Sequence, residues 1–286
     1  MDLAISHSTR YIFAHPVQHG LQRLRLRPKS THGQEVRDWQ MDFEGGYPQA
    51  EYDDQNNNHV VLITIEPGVT EMAVTCKGLV TTVDKSGVIG EHVGHMPLWC
   101  FLRPTSLTRA GLRVRNLVAG LDADKSDKLG FLHTLSAAIS DAVEYVPGST
   151  TTETSAEQAL VNGRGVCQDH AHIFISAGRL LDIPMRYVGG YLKMDDRIEQ
   201  EAGHGWAEAW VEGLGWVGFD ISNKMCPDER YVRVATGCDY SEAAPVKGID
   251  VGAGETEMEV HLSVEQKMVS QQQQQGSDGQ QQSQGG

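Results

Sequence analysis

Alternating apolar and polar residues recur in short stretches through roughly the first 105 residues of the chain, with Gly, Pro and Asn between them. The stretches typical of strands are RYIFA, LQRLRLRP, VRDWQMDFEG, HVVLITIEP and MAVTCKGLVTTV. The polar run from Asp53 to His59 indicates a turn between two of them. The pattern therefore predicts a β-rich N-terminal module over residues 1–105, an antiparallel sheet or sandwich without a catalytic motif of its own.

Helical periodicity begins after this module. Apolar residues at three- and four-residue spacing predict one helix: Leu129, Leu132, Leu135, Ile139 and Val143. In TSAEQAL, Thr154 followed by Glu157 fits a capping box and predicts a second helix. CQDHAHIFISAGRLLD predicts a third, and the strands MRYVGGYLKM, GWAEAWVEG and GWVGFDI follow. Residues 106–265 are therefore expected to form a mixed core with a C-terminal β extension, and the Gln- and Gly-rich residues 266–286 a disordered tail.

Composition narrows the function classes. The net charge of −14 argues against nucleic acid and against an anionic membrane as partners, because both require a basic surface. The five cysteines are widely spaced without a CxxC pair, so we expect neither a cysteine zinc site nor a disulfide framework. No segment has the length and apolar character of a membrane span or the pattern of a secretory leader. The expected location is the cytoplasm.

Cys167 follows a Gly-Arg-Gly turn and opens the third predicted helix. A thiol at a helix start lies at the positive end of the helix dipole, which favours the thiolate, and the unpaired N–H groups there can donate to an oxyanion. Gly163 and Gly165 allow a tight bend and leave room for a substrate. Two interpretations remain open from this stretch alone: a nucleophile, or a buried structural cysteine.

A downstream hairpin, GHGWAEAWVEGLGWVGFD, supplies a histidine and a carboxylate that a thiol nucleophile needs. His204 would be the base and Asp220 the group that orients it. A two-residue loop at Gly213 and Leu214 would pair Asp220 with Ala207 and put the two side chains on opposite faces. A catalytic triad therefore predicts an odd-length loop or a bulge; otherwise His204 is a strand-edge histidine and Asp220 a turn residue.

Other motifs carry less weight. GLGWVG matches a dinucleotide-binding pattern but opens no helix, so we set it aside. His170 and His172 stand two apart on a predicted helix and point in different directions. His92 and His95 lie in a loop that offers only Glu91 as a further ligand. We therefore expect no metal and no cofactor.

At this point the chain resembles the transglutaminase-like superfamily. The resemblance rests on GRGVCQDHAHIFISAGRLLDIPMRYVGGYL, HGWAEAWV and GWVGFD, in this order, and covers roughly residues 120 to 225. The residues before it and the segment YVRVATGCDYSEAAPVKG also look like the bacterial branch, which joins a β-rich module to the core. The resemblance implies an α+β fold with a papain-like core, in which Cys167 is the nucleophile, His204 the general base and acid, and Asp220 the orienting carboxylate.

The chain departs from the family pattern in two places. Ile221, Ser222 and Asn223 follow the aspartate where members often have Pro-Thr, which leaves the aspartate assignment intact. No glutamine precedes the cysteine as in papain, so the side-chain oxyanion donor stays open between Gln168 and Trp206.

The resemblance implies an enzyme that breaks an amide bond in a peptide or protein through a thioester. A cysteine protease or amidase is the expectation. A transglutaminase-type acyltransferase to a primary amine is the alternative, and a binding module that has lost catalysis is a third reading, against which the intact Cys, His and Asp argue.

Overall fold

The computed structural model describes residues 1–124, 126–195, 198–200 and 202–267. Nearly all of the predicted tail, residues 268–286, lies outside the described residues. The strands are β1 (Asp2–Phe13), β2 (His19–Leu24), β3 (Gln34–Glu44), β4 (Gly46–Asp53), β5 (His59–Ile65), β6 (Glu71–Thr82), β7 (Val88–Gly90), β8 (Glu144–Tyr145), β9 (Arg164–Gly165), β10 (Met185–Leu192), β11 (Glu199–Gln200), β12 (His204–Val211), β13 (Gly215–Phe219), β14 (Tyr231–Gly237), β15 (Val246–Val251) and β16 (Thr256–Gln266).

The α-helices of the same residues are α1 (Leu112–Gly120), α2 (Lys128–Ala142), α3 (Ala156–Asn162), α4 (Cys167–Arg179) and α5 (Tyr240–Ala243), with a 3₁₀ helix at Leu98–Leu102. Among the helices in the described parts of the chain, none is both long and apolar enough to cross a bilayer.

Two antiparallel sheets form the N-terminal module, with strand orders β11-β16-β1-β6-β3 and β15-β2-β5-β4. Alternate residues of β1 and β2 are buried, as the alternation in the sequence predicts. The prediction missed β4, which contains Pro48. Proline cannot donate to a ladder, and β4 accordingly lies at a sheet edge with its register shifted between Pro48 and Ala50.

The C-terminal strands return to this module. β16 pairs with β1 along almost its whole length, from Leu3 opposite Gln266 to Phe13 opposite Thr256, and β15 pairs with β2. The sequence interpretation had assigned both strands to the catalytic core as an extension. They complete the N-terminal sheets instead, because β1 and β2 each have an edge that one local partner leaves unpaired.

The core is a five-stranded antiparallel sheet, β14-β10-β12-β13-β7, with α4 packed against it. The face of β12 toward the apolar core carries Ala207 and Ala209, whose small side chains let the helix lie close. Helices α1, α2 and α3 contact the other sides of α4, which is why α4 is buried from residue 168 to residue 179. The predicted class, a papain-like α+β core preceded by a β-rich module, is confirmed.

The predicted capping box is wrong by one residue. Ser155, not Thr154, caps α3, and its backbone N–H donates to Gln158 Oε1 at 2.9 Å. Glu157 points away from its own helix and accepts the backbone N–H of Arg113 at 2.8 Å, at the start of α1. A glutamate is favourable in the first turn of α3 and also at the start of α1, so the sequence alone does not show which contact Glu157 makes. The packing of α1 against α3 therefore decided that Ser155, rather than Thr154, caps the helix.

A buried histidine joins the N-terminal module to the core. His7 on β1 contacts the Tyr191 hydroxyl on β10 through Nδ1 at 2.9 Å and Thr9 Oγ1 through Nε2 at 3.1 Å. Trp39 stacks on the other side of Tyr191, with ring centroids 6.3 Å apart. Because its surroundings penalise a charge, burial lowers the pKa of His7 from 6.5 to about 4.

Because His7 is buried where the N-terminal module meets the core, we expect the stability of the protein to decrease in acid. Between pH 6.5 and about 4 the unfolded chain binds a proton at His7 that the folded chain excludes, so stability falls as the pH falls through this window. The expected loss from this site is about 3 kcal/mol. Urea denaturation at several pH values should show a smaller acid loss in His7→Gln. The exposed His15→Gln serves as control and should keep the wild-type slope; an unchanged slope in His7→Gln would contradict the assignment.

Candidate active site

Cys167 is the first residue of α4, as predicted. Asp169 fixes this helix start: its Oδ2 accepts the backbone N–H of Val166 at 2.8 Å and the hydroxyl of Thr150 at 2.6 Å. The backbone N–H groups of Cys167 and Gln168 belong to the first turn, which has no carbonyl partners within the helix. The thiol therefore stands beside main-chain donors at the positive end of a buried helix.

Gly163 and Gly165, which precede Cys167, have different structural roles. Gly163 ends α3 in the left-handed conformation with φ of 65°, and its N–H donates to Ala159 O at 3.0 Å. At position 165 a Cβ would lie 2.7 Å from Asp169 Cβ, closer than real side chains approach. Gly165 is thus needed so that the capping carboxylate can pack against the turn that presents Cys167.

The hairpin register agrees with the prediction of an odd-length loop. Val211 pairs with Gly215, which leaves a loop of three residues, 212–214. Gly213 and Gly215 have φ of 82° and 80°, the left-handed conformation that glycine adopts without strain. Ala207 pairs with Phe219, so Asp220 follows on the face that His204 shares.

His204 and Asp220 meet through a short hydrogen bond, with 2.6 Å between Nε2 and Oδ2. Cys167 lies beside His204 along the same cleft, and Nδ1 is the ring nitrogen that Asp220 leaves free to interact with the thiol. Burial disfavours the imidazolium, but the hydrogen bonds to Asp220 and Cys167 and the charges of both groups outweigh it and raise the pKa of His204 to about 10. The three predicted residues are therefore brought together in one chain of contacts.

Asp220 is fully buried and accepts further hydrogen bonds that the sequence interpretation did not foresee. The Tyr231 hydroxyl donates to Oδ2 at 2.8 Å, and Asn223 donates through its side chain at 2.7 Å and its backbone N–H at 3.1 Å. Burial opposes ionisation, yet these donors and His204 lower the pKa of Asp220. The Asp-x-x-Asn spacing, typical of a side-chain-closed turn, was the available signal for Asn223.

The two candidate oxyanion donors have other contacts. Gln168 Nε2 donates to Thr152 O at 3.2 Å. The buried Trp206 stacks on His204 with ring centroids 6.2 Å apart and meets Tyr231 edge to face. Trp206 therefore holds the imidazole from one side, and the backbone N–H groups of the first turn of α4 are the candidate oxyanion donors.

A cleft of about 300 Å³ runs past Cys167 and His204, between the core and the N-terminal module. On the core side it is lined by Tyr187 and Tyr240. Burial raises the pKa of both phenols, and the negative charge of Cys167 adds to the shift, which places both rings near the sulfur. The sequence predicts no catalytic motif in the N-terminal module, and residues of this module form the opposite wall of the cleft.

Three of the other histidines, His92, His170 and His172, have structural contacts. His170 donates from Nε2 to Val143 O at 3.0 Å, and His172 Nε2 accepts the Tyr240 N–H at 3.1 Å. His92 Nδ1 accepts the Trp216 N–H. The described residues contain no group of three or more His, Cys, Asp or Glu side chains placed to hold a metal ion.

Comparison with known proteins identifies a matching family and a similar fold. Residues 115–221 match the model of the transglutaminase-like superfamily, and residues 3–81 match the bacterial transglutaminase-like N-terminal region. The crystal structure of "a Putative Cysteine Protease from Cytophaga hutchinsonii" has a TM-score of 0.72 to this chain at 20% identity, covering 94% of this chain and 92% of that one. That similarity concerns the fold.

Two mycobacterial relatives are similar in sequence. The uncharacterized protein ML0607 of Mycobacterium leprae is 29% identical over 275 residues, which cover 92% of this chain and 98% of the relative. The uncharacterized protein Mb2599c of Mycobacterium bovis is 34% identical over 158 residues, 52% of this chain and 49% of the relative. The match to the second thus spans about half the length of that protein.

The helix start predicts a stability effect at Gly165. Gly165→Ala should lower the free energy of unfolding by about 1–3 kcal/mol, because the added methyl displaces the Asp169 side chain. Gly120→Ala, where nothing lies within 4 Å of the new Cβ, is the matched control and should be neutral or stabilising. Chemical denaturation measures both. Equal effects of the two substitutions would show that the close contact does not matter.

The site predicts selective alkylation. Burial raises the pKa of Cys76 and of Cys238 to about 12, with nearby acidic groups adding to it, whereas Cys167 has a hydrogen-bonded imidazole as its partner. Iodoacetamide at pH 7 should therefore label Cys167 at least about tenfold faster than either buried thiol. Asp220→Asn should reduce this advantage most at neutral pH, because it lowers the pKa of His204. Peptide mapping by mass spectrometry gives the rates, and equal labelling of the three thiols would refute the assignment.

Proposed function

We propose that this chain, whose residues 115–221 belong to the transglutaminase-like superfamily, is a thiol-dependent amide-bond enzyme. Cys167 is the nucleophile, His204 the general base and acid, and Asp220 the carboxylate that orients the imidazole. One observation carries the proposal: a buried His204 is hydrogen-bonded to Asp220 and lies beside Cys167 in the same cleft. An imidazole held between a carboxylate and a thiol is the arrangement that activates a cysteine.

In the first half of the reaction the Cys167 sulfur attacks the carbonyl carbon of a peptide or protein amide. The carbonyl oxygen becomes an oxyanion, which the N–H groups at the start of α4 stabilise. His204 gives its proton to the departing amine, the carbon–nitrogen bond breaks, and a thioester on Cys167 remains. The Asp220 carboxylate stabilises the imidazolium before this transfer and, by holding Nε2, leaves Nδ1 as the nitrogen that faces Cys167.

The second half distinguishes a protease or amidase from an acyltransferase. In hydrolysis His204 takes a proton from water, whose oxygen attacks the thioester and releases the free acid. Water needs no binding site of its own, so hydrolysis is the reaction we propose. A primary amine in the same position would form a new amide, and a transglutaminase-type transfer is therefore the second candidate. Both use the same three residues up to the thioester.

The test compares wild type with Cys167→Ala on a panel of peptide amides and glutamine-containing peptides, with and without hydroxylamine. We expect turnover in wild type and a loss of at least about 10³-fold in the variant, because the reaction has no other nucleophile. Free acid as the sole product supports hydrolysis, and a hydroxamate formed at the expense of acid supports transfer. Cys100→Ala, a half-buried thiol outside the site, is the control and should keep full activity. Equal activity of Cys167→Ala and wild type would overturn the proposal.

A further inference from the structure

Arg25 is a buried cation in the N-terminal module, one residue beyond the end of β2. It is 3% exposed, and its backbone N–H donates to Pro245 O at 2.7 Å. Its Nε donates to Asp54 Oδ2 at 2.9 Å. The guanidinium is therefore anchored on one side by a buried ion pair and at its backbone by a neighbouring segment.

Asp54 binds the guanidinium of Arg25 but does not pair all of its N–H donors. Its Oδ1 accepts the backbone N–H groups of Asn56 and Asn58 at 2.9 and 3.0 Å, and its Oδ2 also accepts the side chain of Asn58. Asn58 is itself tied to Thr236 of the core sheet by hydrogen bonds in both directions. These hydrogen bonds fix the Asp54 carboxylate in place and occupy both of its oxygens. The Arg25 Nη1 group is buried and has no hydrogen-bond partner. Such an unpaired donor costs free energy that a ligand oxygen would restore.

Arg25 lines the same cleft as Cys167 and His204. The described residues that line this cleft include no Asp and no Glu, although the whole chain carries a net charge of −14. The walls around Arg25 are largely apolar, with Leu26, Val234 and Met258 among them. Asp54 offsets part of the Arg25 charge from behind, but no carboxylate among the described lining residues competes for the guanidinium from within the cleft, and the apolar walls screen a charge less than water does.

We propose that Arg25 is a substrate-binding residue whose Nη1 takes a carboxylate oxygen of the substrate. The substrate class is then an amide or peptide that carries a free carboxylate close to the bond that Cys167 attacks. Asp54 engages Nε, so Nη1 is the buried nitrogen left without a partner, and a substrate carboxylate would accept a charge-assisted hydrogen bond from it. This specificity rests on the proposed function, since it assumes that the cleft at Cys167 binds the substrate.

The experiment uses two matched series of alkylating agents that react with Cys167. The acids are iodoacetyl-glycine, iodoacetyl-β-alanine and iodoacetyl-γ-aminobutyrate, which carry the carboxylate at increasing distance from the reacting carbon; the controls are their neutral carboxamides. For at least one length the acid should label wild-type Cys167 at least about tenfold faster than its amide, after division by the same ratio measured in denaturant. The length that works reports how far the cation lies from the sulfur.

Two variants separate Arg25 from the charge of His204. Arg25→Lys keeps a cation for Asp54 but loses Nη1, and the double variant Arg25→Gln/Asp54→Asn removes the buried ion pair as a unit, which avoids an isolated Asp54 charge. Both should lose most of the acid preference. If the double variant does not fold, Arg25→Lys and the wild-type length series decide.

Two outcomes overturn the proposal: no acid of any length is preferred in wild type, or the preference survives in the folded variants. Either result leaves the amide-bond function standing if Cys167→Ala still abolishes turnover. Conversely, full turnover by Cys167→Ala would refute the proposed function, while the alkylation ratios would still show whether the cleft selects a carboxylate.

Discussion

The hydrogen bond between His204 and Asp220 is the contact on which the rest of the site depends. It exists because a three-residue loop between β12 and β13 places both residues on one face of the sheet. A loop shorter by one residue would reverse the side chains of one strand and separate the pair. Gly213 and Gly215 adopt left-handed conformations at this loop, and a Cβ at Gly215 would also lie 2.1 Å from Gly90 O. The pairing of His204 with Asp220 therefore depends on the backbone conformation of this loop.

The site is assembled from parts that are far apart in the chain. The core supplies Cys167, His204 and Asp220, while β1 and the segment after β2 supply the opposite wall of the cleft. The two C-terminal strands return to the N-terminal sheets, and His7 contacts Tyr191 across the boundary. These contacts hold the β-rich module against the core, where it forms one wall of the cleft. This explains how it can contribute to recognition without carrying a catalytic motif.

The buried charged groups of this protein differ in how many of their polar atoms have hydrogen-bond partners. Glu208 is fully buried between Arg186 and Arg233, at 2.5 and 2.9 Å, so the cost of desolvating it is offset by two cations. Asp220 is likewise surrounded by donors. Arg25 differs, because Asp54 satisfies its Nε and leaves Nη1 unpaired. Most buried polar groups in proteins are paired, so each unpaired one calls for an explanation, and Arg25 Nη1 belongs to a cation that also lines the cleft.

The sequence by itself determined most of the helices and strands near the site and the candidate residues Cys167, His204 and Asp220. Periodicity separated a β-rich first part from a mixed core, and the glycines before Cys167 together with the hairpin at His204 pointed to three residues and to a loop of odd length. Only the tertiary structure decided which strands pair with β1 and β2, which hydroxyl caps α3, that Tyr231 and Asn223 donate to Asp220, and that Arg25 lines the cleft. The physical reason is that alternation and capping depend on neighbours in sequence, whereas an exposed strand edge or a buried charge is satisfied by whichever distant segment packs against it.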